Sequence, residues 1–232
     1  MENIANTFKL SIRMDLYGFS MSVSDDSDLL ISTNRVDFKE KDISFEKLLD
    51  IIGTETKLNY NKLEIIYVSD SYVVIPLDFF NIDEAPTFLY FEHKPLKTDT
   101  LIHNIIHQLG IVIVSAIPST IQNALNQLFP NINIENHISN LISNCLSTRT
   151  GSNVFCSNRA NRQDIIVMNG VKLLFVNSFS YQTAEDFAFN ILNVYEKLDL
   201  DTHSFKLISD GVTEKPELEK LLDKYLTVLT RK

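Results

Sequence analysis

Two histidines four residues apart, His103 and His107, are the first candidates for chemistry in this sequence, because an HxxxH pair on a helix can hold zinc. Asn104 stands where the general base of a zinc hydrolase would be, and no third ligand lies nearby in the chain. Leu101 to Gln108 reads better as a strand leading into Ile111 to Ala116. Residues four apart share a face there too, so a weak site stays open beside the plainer reading of non-ligand side chains. Asp25, Asp26 and Asp28 invite calcium, but the glycine and distal glutamate of an EF-hand loop are missing, which leaves a solvated turn. Cys145 and Cys156 make no disulfide framework and read as buried, reduced thiols of a cytoplasmic protein. Serines are plentiful without a G-x-S-x-G elbow, and neither a P-loop nor G-x-G-x-x-G occurs. Residue types alone therefore assign no catalytic residue and no metal ligand.

The whole-chain balance narrows the partners. Hydrophobic content of 44% and charged content of 22% are those of a globular protein. A net charge of −9, with basic residues scattered, opposes nucleic acid and anionic membranes. The N-terminus lacks a basic segment followed by an apolar one, and the longest mainly apolar run, Leu109 to Ile117, is about half of what spans a bilayer. The expectation is a cytoplasmic protein without direct membrane insertion.

The elements that must position any site follow from periodicity. Phe8 to Met14 and Phe19 to Val23 alternate apolar and polar, with Asp15-Leu16-Tyr17-Gly18 turning between them, and Leu29 to Ser32 adds a third strand. Ser44 caps a short amphipathic helix that Gly53 should end. Lys62 to Val68 and Tyr72 to Leu77 read as a strand pair joined by Ser69-Asp70-Ser71, with Pro76 marking an edge. Pro86 suits N1 of a short helix carrying Phe88, Leu89 and Phe91. The apolar run Ile111 to Ile117 predicts a strand covered on both faces, followed by helix Thr120 to Leu128, strand Ile132 to Ile134 and helix His137 to Leu146 as a crossover unit. After the small polar stretch Thr148 to Ser152, a second meander runs from Asn153 to Asn177. Asn169-Gly170 should supply both positive-φ residues of a type I′ turn within it. Helices Ala184 to Leu198 and Glu217 to Tyr225, strand Phe205 to Ser209 and a last strand Leu226 to Leu229 complete the chain.

Each half thus begins with a three-strand meander and continues with alternating helices and strands. LSIRMDLYGFSMSV and VMNGVKLLFVNSF resemble the uncharacterised Bacteroidetes family DUF3822, and the run from Ile111 to Cys145 resembles the strand, helix, strand, helix order of the actin-like families. The layout is also similar to PilM-like and FtsA-like proteins. The resemblance implies an α/β fold of duplicated ribonuclease-H-like units forming a two-domain actin-like ATPase fold. It implies a first domain at 1–149, with an inserted subdomain at about 38–108, and a second, smaller domain at 150–232.

Active relatives hold Mg-ATP between their domains with two phosphate loops and a glycine turn under the adenosine. The first loop corresponds to Asp15-Leu16-Tyr17-Gly18, where two bulky residues fill the turn. The second falls at Cys156 to Asn161, with neither Asp nor Gly, and the third at Ile208 to Gly211, with one glycine of two. The resemblance therefore implies a degenerate nucleotide site. Asp15, Gly18, Asp210 and Gly211 would contact a cofactor only if ATP and Mg still bind. The expected function is a non-catalytic binding or scaffolding module with a protein partner or as a homodimer, through an edge strand such as Tyr72 to Leu77. The alternative is a weak Mg-ATP-binding switch or ATPase. Nucleic-acid processing would need several carboxylates converging on two metal ions, and Asp15 has no visible partner for that.

Overall fold

A computed structural model describes residues 8–25, 27, 29–38, 44–55, 60–94, 98–148, 151–159, 161–210, 220–226 and 228–230. The chain forms two compact units, Met1–Asn140 and Leu141–Lys232.

In the first unit, β1 (Lys9–Asp15), β2 (Gly18–Ser24) and β3 (Leu30–Asp37) form the antiparallel meander. The alternation read from the sequence is the pleat: Leu10, Ile12 and Met14 are fully buried, while Lys9, Ser11 and Arg13 lie on the other face. Helix α1 (Phe45–Glu55) starts with the Ser44 hydroxyl accepting the Lys47 amide at 3.3 Å. The helix does not stop at Gly53 but runs through it. Gly53 lies where α1 packs on a later helix, and a Cβ there would stand 3.5 Å from Leu128. The glycine marks a packing contact rather than a terminus.

Next comes β4 (Lys62–Tyr67), parallel to β1, and then β5 (Tyr72–Pro76). These two are not a pair. β4 belongs to the five-stranded sheet β3-β2-β1-β4-β8, whereas β5 lies at the edge of a three-stranded sheet β5-β7-β6. That smaller sheet contains β6 (Asp99–Ile106) and β7 (Ile111–Pro118), with α2 (Ala85–Glu92) packed on it. β7 is its central strand, and six consecutive residues of it are buried, as its unbroken apolar run requires. Helix α3 (Ser119–Leu128) then leads to β8 (Ile134–Asn136), which pairs parallel with β4, so the expected crossover from β7 to β8 joins two different sheets. The bridge between them is Asn104. Its amide nitrogen donates to the Ile134 carbonyl at 3.0 Å, and its oxygen accepts the Asn136 N–H at 2.8 Å.

Helix α4 (His137–Thr148) begins in the first unit and continues into the second. The second sheet repeats the first. β9 (Ser152–Arg159), β10 (Arg162–Asn169) and β11 (Lys172–Ser180) form an antiparallel meander, and β12 (Phe205–Asp210) and β13 (Val228–Thr230) extend it in parallel, in the order β11-β10-β9-β12-β13. Both five-stranded sheets share one order and one set of pairing senses, that of a ribonuclease-H-like unit.

Between β10 and β11, Asn169 pairs with Lys172, so the two loop residues are Gly170 and Val171. Gly170 has φ 59°, and Asn169 is not in the left-handed region. This is the pattern of a type II′ turn, one residue later than the expected type I′. Helix α5 (Ala184–Lys197) opens with a capping box between Thr183 and Asp186 and buries Phe187, Ile191 and Tyr195 against Val154, Ile165 and Val167. The expected helix at Glu217 to Tyr225 lies partly outside the described residues, as do Asp26, Asp28 and the Arg149-Thr150 part of the polar stretch.

Candidate functional site

In the first sheet the β1–β2 hairpin turns on Leu16 and Tyr17, since Asp15 pairs with Gly18. The Asp15 carboxylate accepts the Tyr17 N–H at 2.7 Å, a local Asx closure, and the Tyr17 carbonyl accepts the Phe38 N–H at 2.7 Å. The turn's own backbone thus engages the one carboxylate at the tip. Leu16 and Tyr17 project outward, 50% and 61% exposed. Gly18 has a separate constraint: a Cβ there would fall 2.3 Å from the Val36 carbonyl oxygen, on β3. Its missing side chain lets β2 and β3 close.

Beside this tip lies Tyr67, at the end of β4. Burial pushes its phenol well above the usual value, and the carboxylates of Asp99, Asp15 and Asp70 push the same way. That Asp70 and Asp99 act with Asp15 on Tyr67 was not visible in the sequence, because they come from distant segments. Among the described residues, no group of three or more His, Cys, Asp or Glu side chains is arranged to hold a metal ion.

The corresponding tip of the second sheet differs in every functional residue. β9 runs through Arg159 and β10 starts at Arg162, which pair with each other, so of the loop expected at Cys156 to Asn161 the residues Cys156 to Arg159 are strand. Arg159 occupies the place of Asp15, and Arg162 that of Gly18. The Arg159 guanidinium makes a two-point contact with Asp164, Nε at 2.7 Å and Nη2 at 2.9 Å. Asp164 is 1% exposed and also accepts the Ser178 hydroxyl at 2.6 Å. Sequence spacing gives no sign of this clamp because it joins three strands. Beneath it, Asp164, Ser157, Phe155, Ile208, Cys145 and Cys156 line a cavity of about 20 Å³, room for one water. Both cysteines are buried and unbridged.

The third element ends at the Asp210 backbone, the last residue of β12; its side chain and Gly211 lie outside the described residues. The histidine pair dissolves. His103 is on β6 with its ring 5.4 Å from that of Phe80, while His107 opens a 3-10 turn after the strand ends.

No helix among the described residues is long and apolar enough to cross a membrane. A family described as a protein of unknown function (DUF3822) matches residues 2–229. No functionally curated protein matches the sequence. Among solved structures, the chain is similar to a Bacteroides thetaiotaomicron protein with actin-like ATPase fold and unknown function. The TM-score is 0.84 at 23% identity, covering 100% of this chain and 94% of that one. It is also similar to a structure of the PilM-PilN type IV pilus biogenesis complex, with a TM-score of 0.53 at 11% identity, covering 97% and 88%. These likenesses give the fold: a two-domain actin-like ATPase fold made of two ribonuclease-H-like units.

Proposed function

The chain belongs to the DUF3822 family, and on that premise we propose that it is a cytoplasmic, non-catalytic binding or scaffolding module whose nucleotide site is degenerate. The observation that carries this reading is the occupancy of both hairpin tips by their own chain. Asp15 holds the Tyr17 amide, and Arg159 holds Asp164. Phosphate binding needs free backbone amides, and water activation needs an opposed pair of carboxylates. The first tip withholds an amide, and the second presents arginines where the carboxylate should be. A protein partner or a homodimer fits a fold kept without its chemistry, and the PilM neighbour is itself seen in a complex with PilN. The two reduced thiols agree with a cytoplasmic setting.

Thermal melting in millimolar Mg-ATP tests this. The expected result is an unchanged Tm, because only a ligand that binds the folded state raises it. A rise of several degrees that Asp15→Asn abolishes would establish the second reading, a weak Mg-ATP switch using Asp15, Gly18, Asp210 and Gly211. That reading is favoured by the three carboxylates gathered around Tyr67.

A further inference from the structure

We propose that the seam between α2 and β5 is a docking groove for a partner protein's amphipathic helix, one with basic residues flanking its apolar face. This deepens the binding-module reading and rests on it. The groove has a volume of about 410 Å³ and is lined by Val73, Val74, Ile75, Phe88, Phe91 and Glu92. Leu89 turns inward and is fully buried, whereas Phe88 is 39% and Phe91 91% exposed. One exposed aromatic residue is ordinary, but two side by side on a concave apolar wall form a site that a partner can cover.

The edge of β5 excludes a strand as occupant. Ser71 and Leu77 bond towards β7 through Ala116 and Gly110, so by alternation Tyr72, Val74 and Pro76 face outward. The His93 ring donates from Nε2 to the Tyr72 carbonyl at 2.9 Å, and Pro76 has no N–H. Val74 alone keeps both backbone groups for an incoming strand, too few for a ladder. Recognition must therefore run through side chains, as a helix in a groove does.

Charge selects the kind of helix. Residues 78–92 carry Asp78, Asp83, Glu84 and Glu92 and no Lys or Arg; the first cation, Lys94, follows the helix. Of these, Glu92 lines the groove itself, and an acidic segment of this kind repels anionic lipid headgroups and favours basic flanks on the incoming helix.

The test uses the full chain and a fluorescein-labelled helical peptide of about 16 residues, Leu and Phe at i, i+3, i+4 and i+7 with Lys between, beside a twin with Glu for Lys. By anisotropy at low salt, the Lys peptide should bind about tenfold more tightly than the Glu twin, and Phe91→Asp should weaken it about tenfold. Phe91→Asp adds negative charge, so non-specific attraction to an acidic protein would instead strengthen binding. Glu92→Lys should narrow the preference between the twins. Phe91 is 91% exposed, and an unchanged melting curve would verify that its variant folds. The proposal falls if neither peptide binds, if the twins bind equally, or if Phe91→Asp has no effect. Binding to phosphatidylglycerol vesicles, or a dimer that Phe91→Asp dissolves, would also overturn it. Failed peptides with an inert Mg-ATP melt remove this groove and leave the binding-module reading standing; a Mg-ATP shift removes that reading.

Discussion

The two meanders share strand order and pairing sense, yet the same register positions carry opposite charge. Across the first sheet, Arg13, Ser20 and Arg35 stand side by side on β1, β2 and β3. Across the second, the equivalent positions hold Ser157, Asp164 and Ser178. The surroundings differ too. In the first sheet buried positions of β1 alternate with half-buried ones, whereas Gln163 to Met168 of β10 are buried without interruption. A charge on a half-exposed face keeps water as a partner; one sealed under a helix must find its counterion in the chain. Hence the single carboxylate of the second meander, Asp164, recruited Arg159 from the neighbouring strand. One scaffold accommodates both arrangements because strand pairing is made by backbone.

Removing the clamp should break the comparison most severely. Arg159→Ala leaves the buried Asp164 charge without its guanidinium, and denaturant unfolding should show a loss of about 3 kcal/mol. Replacing both partners together, Arg159→Met with Asp164→Leu, should cost far less. If the single and double variants unfold alike, the ion pair is not what makes the second tip differ.

A methyl group at the first tip comes next. Gly18→Ala puts a carbon against the Val36 carbonyl, and the strand shift should cost about 2 kcal/mol by the same measurement. Arg162 fills the equivalent place in the second sheet, so Arg162→Ala should meet no such clash. Equal losses would mean that the two hairpins are packed alike.

The smallest effect sharpens the contrast in how each unit treats carboxylates. Glu135 on β8 is held above the usual carboxylate range, first by burial and then by Glu64. A raised folded-state pKa means that ionisation opposes folding. Glu135→Gln should therefore raise stability at pH 7 by a few tenths of a kcal/mol, the side chain being only half buried. The gain should fade as pH falls below the unfolded value of about 4, where the carboxyl is neutral in both states. A gain that persists at pH 3 would assign the effect to packing.

The first meander was legible because alternation is a local signal, and the second because two apolar runs meet at Asn169-Gly170. Leu10, Ile12 and Met14 announce a pleat without reference to any other strand. Pairing between distant segments was not. β4 and β5 are adjacent apolar runs joined by three polar residues, and nothing in that pattern shows that one joins β1 while the other crosses to β7. The turn after Asn169 moved by one residue because a bulge at Leu174 takes up the slack between Val167 and Met168. At the candidate site, the missing Asp and Gly of the expected loops could be read directly. The Arg159–Asp164–Ser178 contact could not, since its members are spread over three strands.

Asn104 sets a limit on how this molecule can be dismantled. A shortened chain lacking the smaller sheet would strip the Ile134 carbonyl and the Asn136 amide of the side chain that bridges them, at a position sealed from solvent. Grafting the groove onto another carrier, or trimming it away, would then need a polar substitute at that junction before the remaining strands could close.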